Sequence, residues 1–234
     1  IVKCVLMPNI GICALFLELY VVSTRNIHIH SSPNLTFLVR SLAFHVEQGV
    51  LIPRPETEEL VEWIVSDYRE AGQVRILDIG TGSGCIPVSL AQLLPEAQVS
   101  SCDVSAEALR IAAMNVKRYG DKVTLFCADI LKEELPECQV DVLVSNPPYI
   151  TESERTDMEA NVLDWEPELA LFVPDSDPLR FYRRIARKGL DWLSEGGALY
   201  FEINRAYGAE TVRMLERLDI ARLNYGKTCR ETTG

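Results

Sequence analysis

The chain has 234 residues, 47% of them hydrophobic, and a formal net charge of −11 at pH 7. This length and apolar content fit a single large α/β domain with a sizeable core. The acidic charge argues against bare DNA or RNA as the main partner, because proteins of that class carry a basic footprint. It is compatible with a basic protein partner.

The cysteines and histidines bear on the cellular compartment and on metal binding. The 7 cysteines include no C-x-x-C pair, which predicts reduced thiols in a cytoplasmic protein rather than a disulfide framework. His28 and His30 are alternate residues without a third ligand nearby. We therefore predict no metal site.

Residues 1–43 form an atypical amino-terminal segment, which we separate from a main domain at 44–234. Its apolar stretch, Val5 to Val22, is interrupted by polar and helix-breaking residues, and a membrane span needs about 20 mostly apolar residues. No clear basic region and cleavage site mark a signal peptide. We therefore expect no membrane insertion.

Beyond this segment, strand and helix patterns alternate. Strands are expected near 75–79, 98–102, 122–127, 140–145 and 197–203, and helices near 57–70, 85–94, 105–119, 178–194 and 207–217. Such alternation predicts a mainly parallel sheet with helices on both faces. Ligands of these sheets bind beyond the carboxyl ends of the strands.

The first helix follows a proline-rich loop, Pro53-Arg54-Pro55-Glu56-Thr57-Glu58. We predict that this loop packs over the ligand crevice and opens a helix at Glu58. Thr57 or Glu56 would cap that helix, since hydroxyl and carboxylate groups are favoured there. The alternative interpretation is a helix start without a functional role.

The first predicted strand, 75–79, runs into a glycine-rich turn. Its glycines fall at alternate positions, and Cys85 stands where a dinucleotide fingerprint would have its third glycine. Glycine lets the backbone approach a ligand closely, and the acid before the turn suits a cationic ligand such as a sulfonium cofactor. The candidate cofactor-binding residues here are Asp78, Gly80, Thr81, Gly82 and Gly84.

The next two predicted strands also end in acidic residues. Asp103 could accept both ribose hydroxyls of an adenosine group, which we favour over the alternative that Asp103 or Ser105 only caps the following helix. Asp129 lies where the adenine amino group would then be, but Asp after a strand is also an ordinary turn residue. Both are candidate cofactor-binding residues.

The predicted strand at 140–145 is followed by Asn146-Pro147-Pro148-Tyr149. Proline fixes φ and lacks an N–H donor, which leaves the Asn146 side-chain oxygen and the Pro147 carbonyl as acceptors for an NH2 group. Tyr149 offers a flat ring against a flat amide or base. All four are candidate substrate-binding residues, and Asn146, Pro147 and Tyr149 are candidate catalytic residues. The alternative is a rigid turn that ends a strand.

The last third of the chain contains two less regular segments. The segment 151–177 is long and acidic, and a long ordered loop at this place predicts a lid or a substrate wall. Residues 224–234 are polar without a strand pattern, so we expect the closing carboxyl-terminal hairpin to be incomplete.

Three segments together resemble one known family, and the resemblance covers roughly residues 44–216. These segments are Val50 to Leu60, Asn146 to Ile150 and Glu166 to Leu171. The chain is similar to the HemK/PrmC family of Rossmann-like S-adenosylmethionine-dependent methyltransferases. The resemblance implies transfer of a methyl group from S-adenosylmethionine to the side-chain amide nitrogen of a glutamine in a peptide-chain release factor. It also implies that Asn146 contributes to the cofactor site.

Two other functions stay open at this point. The same tetrapeptide occurs in enzymes that methylate an exocyclic amino group of DNA or RNA, although the acidic charge and the lack of a target-recognition domain count against them. The atypical ends are also compatible with a non-catalytic cofactor-binding fragment. No convincing general base accompanies the motifs.

Overall fold

A seven-stranded sheet runs through the computed structural model, which describes residues 2–7, 35–132, 138–158, 162, 165–218 and 223–226. Its strands are β1 (Val2–Met7), β4 (Arg75–Ile79), β5 (Gln98–Asp103), β6 (Val123–Cys127), β7 (Val140–Ser145), β10 (Leu193–Asn204) and β11 (Leu223–Gly226). Two small pairs complete the strands, β2 (Leu35–Val39) with β3 (Leu42–Val46), and β8 (Ile150–Thr151) with β9 (Phe172–Val173).

The helices alternate with these strands, as predicted. They are α1 (Pro55–Tyr68), α2 (Cys85–Leu93), α3 (Ala106–Arg118), α4 (Glu168–Leu171), α5 (Arg180–Trp192) and α6 (Gly208–Glu216), with 3-10 turns at Glu152–Asp157 and Arg205–Tyr207. Each predicted strand and helix is present, with its ends shifted by four residues at most. The predicted Rossmann-like α/β fold is therefore confirmed.

The sheet order is β11-β1-β10-β7-β4-β5-β6, and every neighbouring pair is parallel. The order reverses at β4, whose chain continues to β5 on one side while β7 lies on the other. Ile79 of β4 pairs with Ser145 of β7. The glycine-rich turn and Asn146 therefore leave the sheet side by side, at the switch point where such sheets bind ligands.

Apolar side chains cover both faces of the sheet. On one face, Leu60 and Ile64 of α1 pack in a cluster with α2 and the strands. On the other face, Tyr182 and Ile185 of α5 pack in a cluster with Phe201 of β10. Burial of each such side chain stabilises the fold by about 1.5–3 kcal/mol, so the sheet is a firm base for the loops at its edge.

Both ends of the chain contribute strands that the sequence did not predict. Residues 224–226 belong to a strand although their sequence has no strand pattern, because Leu223–Gly226 pairs in parallel with β1. This parallel pair is not the antiparallel closing hairpin that we expected to be incomplete. β1 itself pairs with β10 and lies within the atypical segment. Short strands need little intrinsic preference when a neighbouring strand supplies the hydrogen bonds.

Other predictions for the ends of the chain lie outside the described residues. They concern residues 8–22 of the apolar stretch, His28 and His30, and the polar tail 227–234. In the part of the chain that is described, no helix is long and apolar enough to cross a membrane. The β2–β3 hairpin spans residue 43, and the domain boundary there stays a prediction.

Candidate functional site

A cleft opens at the carboxyl ends of β4, β5, β6 and β7, with a volume of about 1050 Å³ that includes its open mouth. Most of the predicted site residues line it, since the switch point brings the ends of these strands together. Those residues are Gly80, Thr81, Gly82, Asp103, Asp129, Asn146, Pro147 and Pro148. Asp78, Gly84 and Tyr149 are not in the cleft wall.

The glycine-rich turn owes its path to positive φ angles. Gly80 has φ of 90° and Gly82 has φ of 54°, a region that glycine enters without steric cost. A Cβ atom at Gly80 would lie 3.7 Å from the Asn146 carbonyl oxygen. The turn thus passes close to the end of β7 and presents its backbone to the cleft.

Gly84 is close to the helix that follows β5. Its φ is 81°, and a Cβ atom there would lie 3.2 Å from the Cβ of Ala112. It therefore allows α2 to start close against α3, behind the cleft. A role for Gly84 in cofactor binding stays a prediction.

Asp78 is fully buried behind the turn rather than exposed in the cleft. Ser101 Oγ donates to Asp78 Oδ2 at 2.6 Å, and the Thr81 hydroxyl is 2.7 Å from Ser101 Oγ. Because Ser101 has one hydroxyl proton, Thr81 donates to Ser101. Asp78 thus anchors the turn through two hydroxyls, and its direct contact with a cofactor stays a prediction.

Burial raises the pKa of Asp78 to about 8, with a smaller opposing effect from the Ser101 hydrogen bond and an added increase from Asp103. The folded-state pKa therefore lies above the ordinary value of 3.8. Below about pH 4 the carboxyl is protonated in both states, and as pH rises toward 8 only the folded state retains the proton. Stability is consequently lost across that window.

We expect the free energy of unfolding to fall with pH more steeply in the native chain than in Asp78→Asn. The difference in slope should approach about 1.4 kcal/mol per pH unit between pH 4 and 8. Urea unfolding at several pH values measures it, because all other titrating groups are common to both proteins. Parallel curves would show that Asp78 does not titrate differently in the folded chain.

Asp103 and Asp129 lie at the ends of adjacent strands, and both line the cleft. Asp103 Oδ2 accepts from Gly82 N at 3.0 Å, and its Oδ1 accepts from Ser105 N at 2.9 Å. The cap of α3 is Ser105, whose hydroxyl accepts from Ala108 N. Each carboxylate oxygen can accept more than one hydrogen bond, so Asp103 retains capacity for two hydroxyl groups.

Asp129 forms the hydrogen bond of a turn residue, and its contact with an adenine amino group stays a prediction. Its Oδ1 accepts from Leu131 N at 2.9 Å, the hydrogen bond of a turn residue, and its Oδ2 pairs with Lys132 at 3.1 Å. Lys132 is 83% exposed, so this pair contributes little to stability. The carboxylate nevertheless faces the cleft.

Asn146 is one of the residues that line the cleft. Its Oδ1 is buried and has no hydrogen-bond partner among the residues that the structure describes. A buried acceptor without a partner costs free energy, so this atom is suited to a donor group from a ligand. Pro147 and Pro148 line the cleft beside it.

Tyr149 turns away from the cleft. Its side chain packs, partly buried, against the second core cluster, and its carbonyl accepts from Asn204 Nδ2 at 3.3 Å. Stacking of the ring on a substrate stays a prediction.

The proline-rich loop reaches the cleft, where Pro53 and Thr57 form part of the wall. The predicted helix start at Glu58 and the predicted cap are wrong. The helix α1 begins at Pro55 after Arg54, without a side-chain cap. Thr57 is instead buried, and its hydroxyl donates to Glu202 Oε2 at 2.9 Å, because the first turn of α1 packs on β10.

A buried ion pair joins the proline-rich loop to the segment around Glu166, which also borders the cleft. Arg54 Nη2 lies 3.0 Å from Glu166 Oε1 and 3.1 Å from Oε2, and these residues are only 8% and 3% exposed. Pro167, Leu169 and Ala170, next to Glu166, also line the cleft. The pair therefore holds two walls of the site together, a contact that sequence reasoning missed.

Glu202 was also missed, although the sequence carried a signal. It is an isolated acid within the apolar run Ala198 to Ile203 of β10 and is fully buried.

Within the described ranges, no three His, Cys, Asp or Glu side chains form a group that could hold a metal ion.

Comparison with known proteins gives one family. Residues 57–164 match the model of the family described as Methyltransferase small domain. A release factor glutamine methyltransferase of Bacteroides thetaiotaomicron is 58% identical over 174 residues, which cover 74% of this chain and 62% of that protein. The Flavobacterium psychrophilum protein of the same name is 48% identical over 179 residues, covering 75% and 63%. The chain thus spans less than two thirds of the length of these relatives.

A solved structure from Streptococcus mutans, assigned as an S-adenosylmethionine-dependent methyltransferase, superposes with a TM-score of 0.55. It is 14% identical, and the match covers 84% of this chain and 49% of that one. At this identity the likeness concerns the fold alone.

Proposed function

Because the chain belongs to the HemK/PrmC family of release factor glutamine methyltransferases, we propose that it transfers a methyl group from S-adenosylmethionine to a glutamine side-chain amide of a peptide-chain release factor. The observation that carries this proposal is the buried, unpartnered Oδ1 of Asn146 at the cleft wall. A release factor as substrate implies action in translation termination and a cytoplasmic location.

S-adenosylmethionine is the cofactor of this family, and the cleft fits it. The glycine-rich turn offers a close backbone approach at Gly80 and Gly82, and the Asp103 carboxylate has free acceptor capacity for the two ribose hydroxyls. Asp129, on the next strand, would accept from the adenine amino group. When bound, the cofactor supplies an electrophilic methyl group on a positively charged sulfur.

The residues of the chain act on the acceptor nitrogen. An amide nitrogen is a poor nucleophile because its lone pair is delocalised into the carbonyl. Hydrogen bonds from the substrate NH2 to Asn146 Oδ1 and to the Pro147 carbonyl would orient that nitrogen and favour a pyramidal geometry. Positioning of this kind can contribute about 7–11 kcal/mol in favourable systems. The proton then leaves late, to solvent.

Asp103→Ala should weaken S-adenosylmethionine binding by at least about 100-fold. The change removes two charge-assisted hydrogen bonds, each worth about 1.5–3 kcal/mol, and also the acceptor that holds Gly82 N. Titration calorimetry measures the affinity, and Glu96→Ala, an exposed acid before β5, is the control. An unchanged affinity of Asp103→Ala for S-adenosylmethionine would contradict the assignment of Asp103 to the cofactor site.

The direct test of the proposed function offers labelled S-adenosylmethionine together with a release factor, DNA or tRNA. We expect label on a glutamine of the release factor only. Label on DNA or tRNA would favour a nucleic-acid amino methyltransferase. Cofactor binding without transfer to any of the three would favour a non-catalytic cofactor-binding fragment.

A further inference from the structure

Glu202 and Asn146 lie next to each other at the ends of neighbouring strands. Phe201 of β10 pairs with Ser145 of β7, and Glu202 and Asn146 directly follow these paired residues. The Asn146 side chain is near enough to Glu202 to lower the pKa of its carboxyl. Glu202 Oε1 is buried and has no hydrogen-bond partner among the described residues. Thr57 Oγ1 donates to the other carboxylate oxygen, Oε2, at 2.9 Å.

The orientation of the Asn146 amide decides whether the site can work. The amide has an acceptor on one side, Oδ1, and a donor on the other, Nδ2. A substrate NH2 group needs Oδ1. An ionised carboxylate only accepts hydrogen bonds, so Glu202 can pair with Nδ2 and not with Oδ1. A hydrogen bond from Nδ2 to Glu202 Oε1 would leave Oδ1 for the substrate, and both oxygens are buried without a partner in the described part of the chain.

The buried Glu202 carboxylate in β10 is energetically unfavourable, which suggests a functional role. Taking an ionised group out of water costs several kcal/mol, and an apolar residue would continue the strand at lower cost. Perturbed acids of this kind cluster at functional sites. Thr57 lies in the cleft wall together with Asn146, so the network belongs to the site.

We propose that Glu202 is a positioning residue, which with Thr57 fixes the Asn146 amide so that Oδ1 faces the substrate nitrogen. The inference rests on the proposed function for its catalytic meaning. Its structural content, the orientation of one amide by one carboxylate, can be tested without turnover.

The contacts among Glu202, Thr57 and Asn146 also predict that the turnover number depends on pH. The pKa of Glu202 is raised to about 7, because the increase caused by burial and by Glu56 outweighs the lowering by Thr57, Arg54 and Asn146. Cys85, which also faces this carboxylate, has its pKa raised to about 12 and stays a neutral thiol. A protonated Glu202 becomes a donor that can bind Oδ1 instead of Nδ2. The turnover number, kcat, should therefore rise with pH through about 7.

Glu202→Gln is the first test, since it keeps the shape but offers an NH2 donor to Asn146. We expect kcat to fall by about 100-fold, the scale of losing one preorganised polar contact in a transition state, while the affinity for S-adenosylmethionine changes less than about threefold. The rise of kcat near pH 7 should disappear. Asp67→Asn is the matched control, because Asp67 also joins α1 to β10, through the Tyr200 hydroxyl, but is exposed.

Thr57→Val is a second variant should Glu202→Gln fold poorly. Loss of the Thr57 hydrogen bond, which lowers the pKa of Glu202, should move the midpoint of the kcat profile to higher pH. A midpoint that stays in place or moves to lower pH would contradict the network.

A readout independent of turnover is the nitrogen-15 NMR signal of the Asn146 side-chain amide, assigned by its absence in Asn146→Ala. It should shift with a midpoint near pH 7 in the native chain and show no such shift in Glu202→Gln. A signal indifferent to pH, or unaltered kcat and pH profile in Glu202→Gln, would overturn the inference. Failure of the native chain to methylate a release factor would instead count against the proposed function alone.

Discussion

Asn146→Ala is expected to reduce methyl transfer to a release factor by on the order of 10³-fold, comparable to the loss of one preorganised polar contact in other enzymes. The Asn146 side chain would contact the reacting nitrogen rather than the bulk of the cofactor. The loss should therefore fall on kcat, while the affinity for S-adenosylmethionine stays within a few-fold. Single-turnover kinetics and titration calorimetry separate these two effects.

The fold should tolerate Asn146→Ala. Its Oδ1 has no partner among the described residues, and the rigidity of the turn comes from Pro147 and Pro148. Glu202 keeps its hydrogen bond from Thr57 in this variant. The urea midpoint of the variant therefore serves as the control. Near-normal turnover of Asn146→Ala would contradict the proposed mechanism. An unfolded variant would favour the alternative interpretation of the tetrapeptide as a rigid turn.

Arg54→Met should destabilise the chain by about 3–5 kcal/mol at neutral pH, because it leaves Glu166 buried without its cation. Methionine keeps much of the aliphatic length, so the loss reports the charge. Arg213→Met, which breaks an exposed pair with Glu210 on α6, is the matched control and should cost at most about 1 kcal/mol. Urea unfolding measures both.

The loss of stability caused by Arg54→Met should become smaller at low pH. Burial already raises the pKa of Glu166, and the Arg54 charge opposes that increase, so removal of Arg54 raises the pKa further. Below the ordinary value of 4.5 the carboxyl is protonated in both states and the penalty is lost. As pH rises above it, only the unfolded state ionises freely, and the penalty grows.

A double variant isolates the interaction. Arg54→Met with Glu166→Gln removes both charges and should recover most of the lost stability, since exchange of a whole buried pair is often close to neutral. The cofactor affinity of the single variant should also fall, because Arg54 and Glu166 lie next to Pro53 and Pro167, which both line the cleft. A loss below about 1 kcal/mol in Arg54→Met would mean that the pair does not hold the walls together.

The alternation of strands and helices and the positions of most cleft residues could be predicted from the sequence alone. These features depend on local signals: apolar runs of strand length, helical periodicity, and glycine or proline at turns. Parallel strands place their carboxyl ends at one edge, so residues that follow different strands meet without further information. Asp103, Asp129 and Asn146 were found in this way.

Contacts between distant segments were decided only by the tertiary structure. Arg54 meets Glu166 across 112 residues, and Thr57 meets Glu202 across 145, so no local pattern encodes these pairs. The same holds for the burial of Asp78 behind Ser101 and the direction of the Tyr149 ring. Sequence spacing determines which residues follow a strand, whereas strand register and the packing of α1 on β10 decide which way each side chain points and what it contacts.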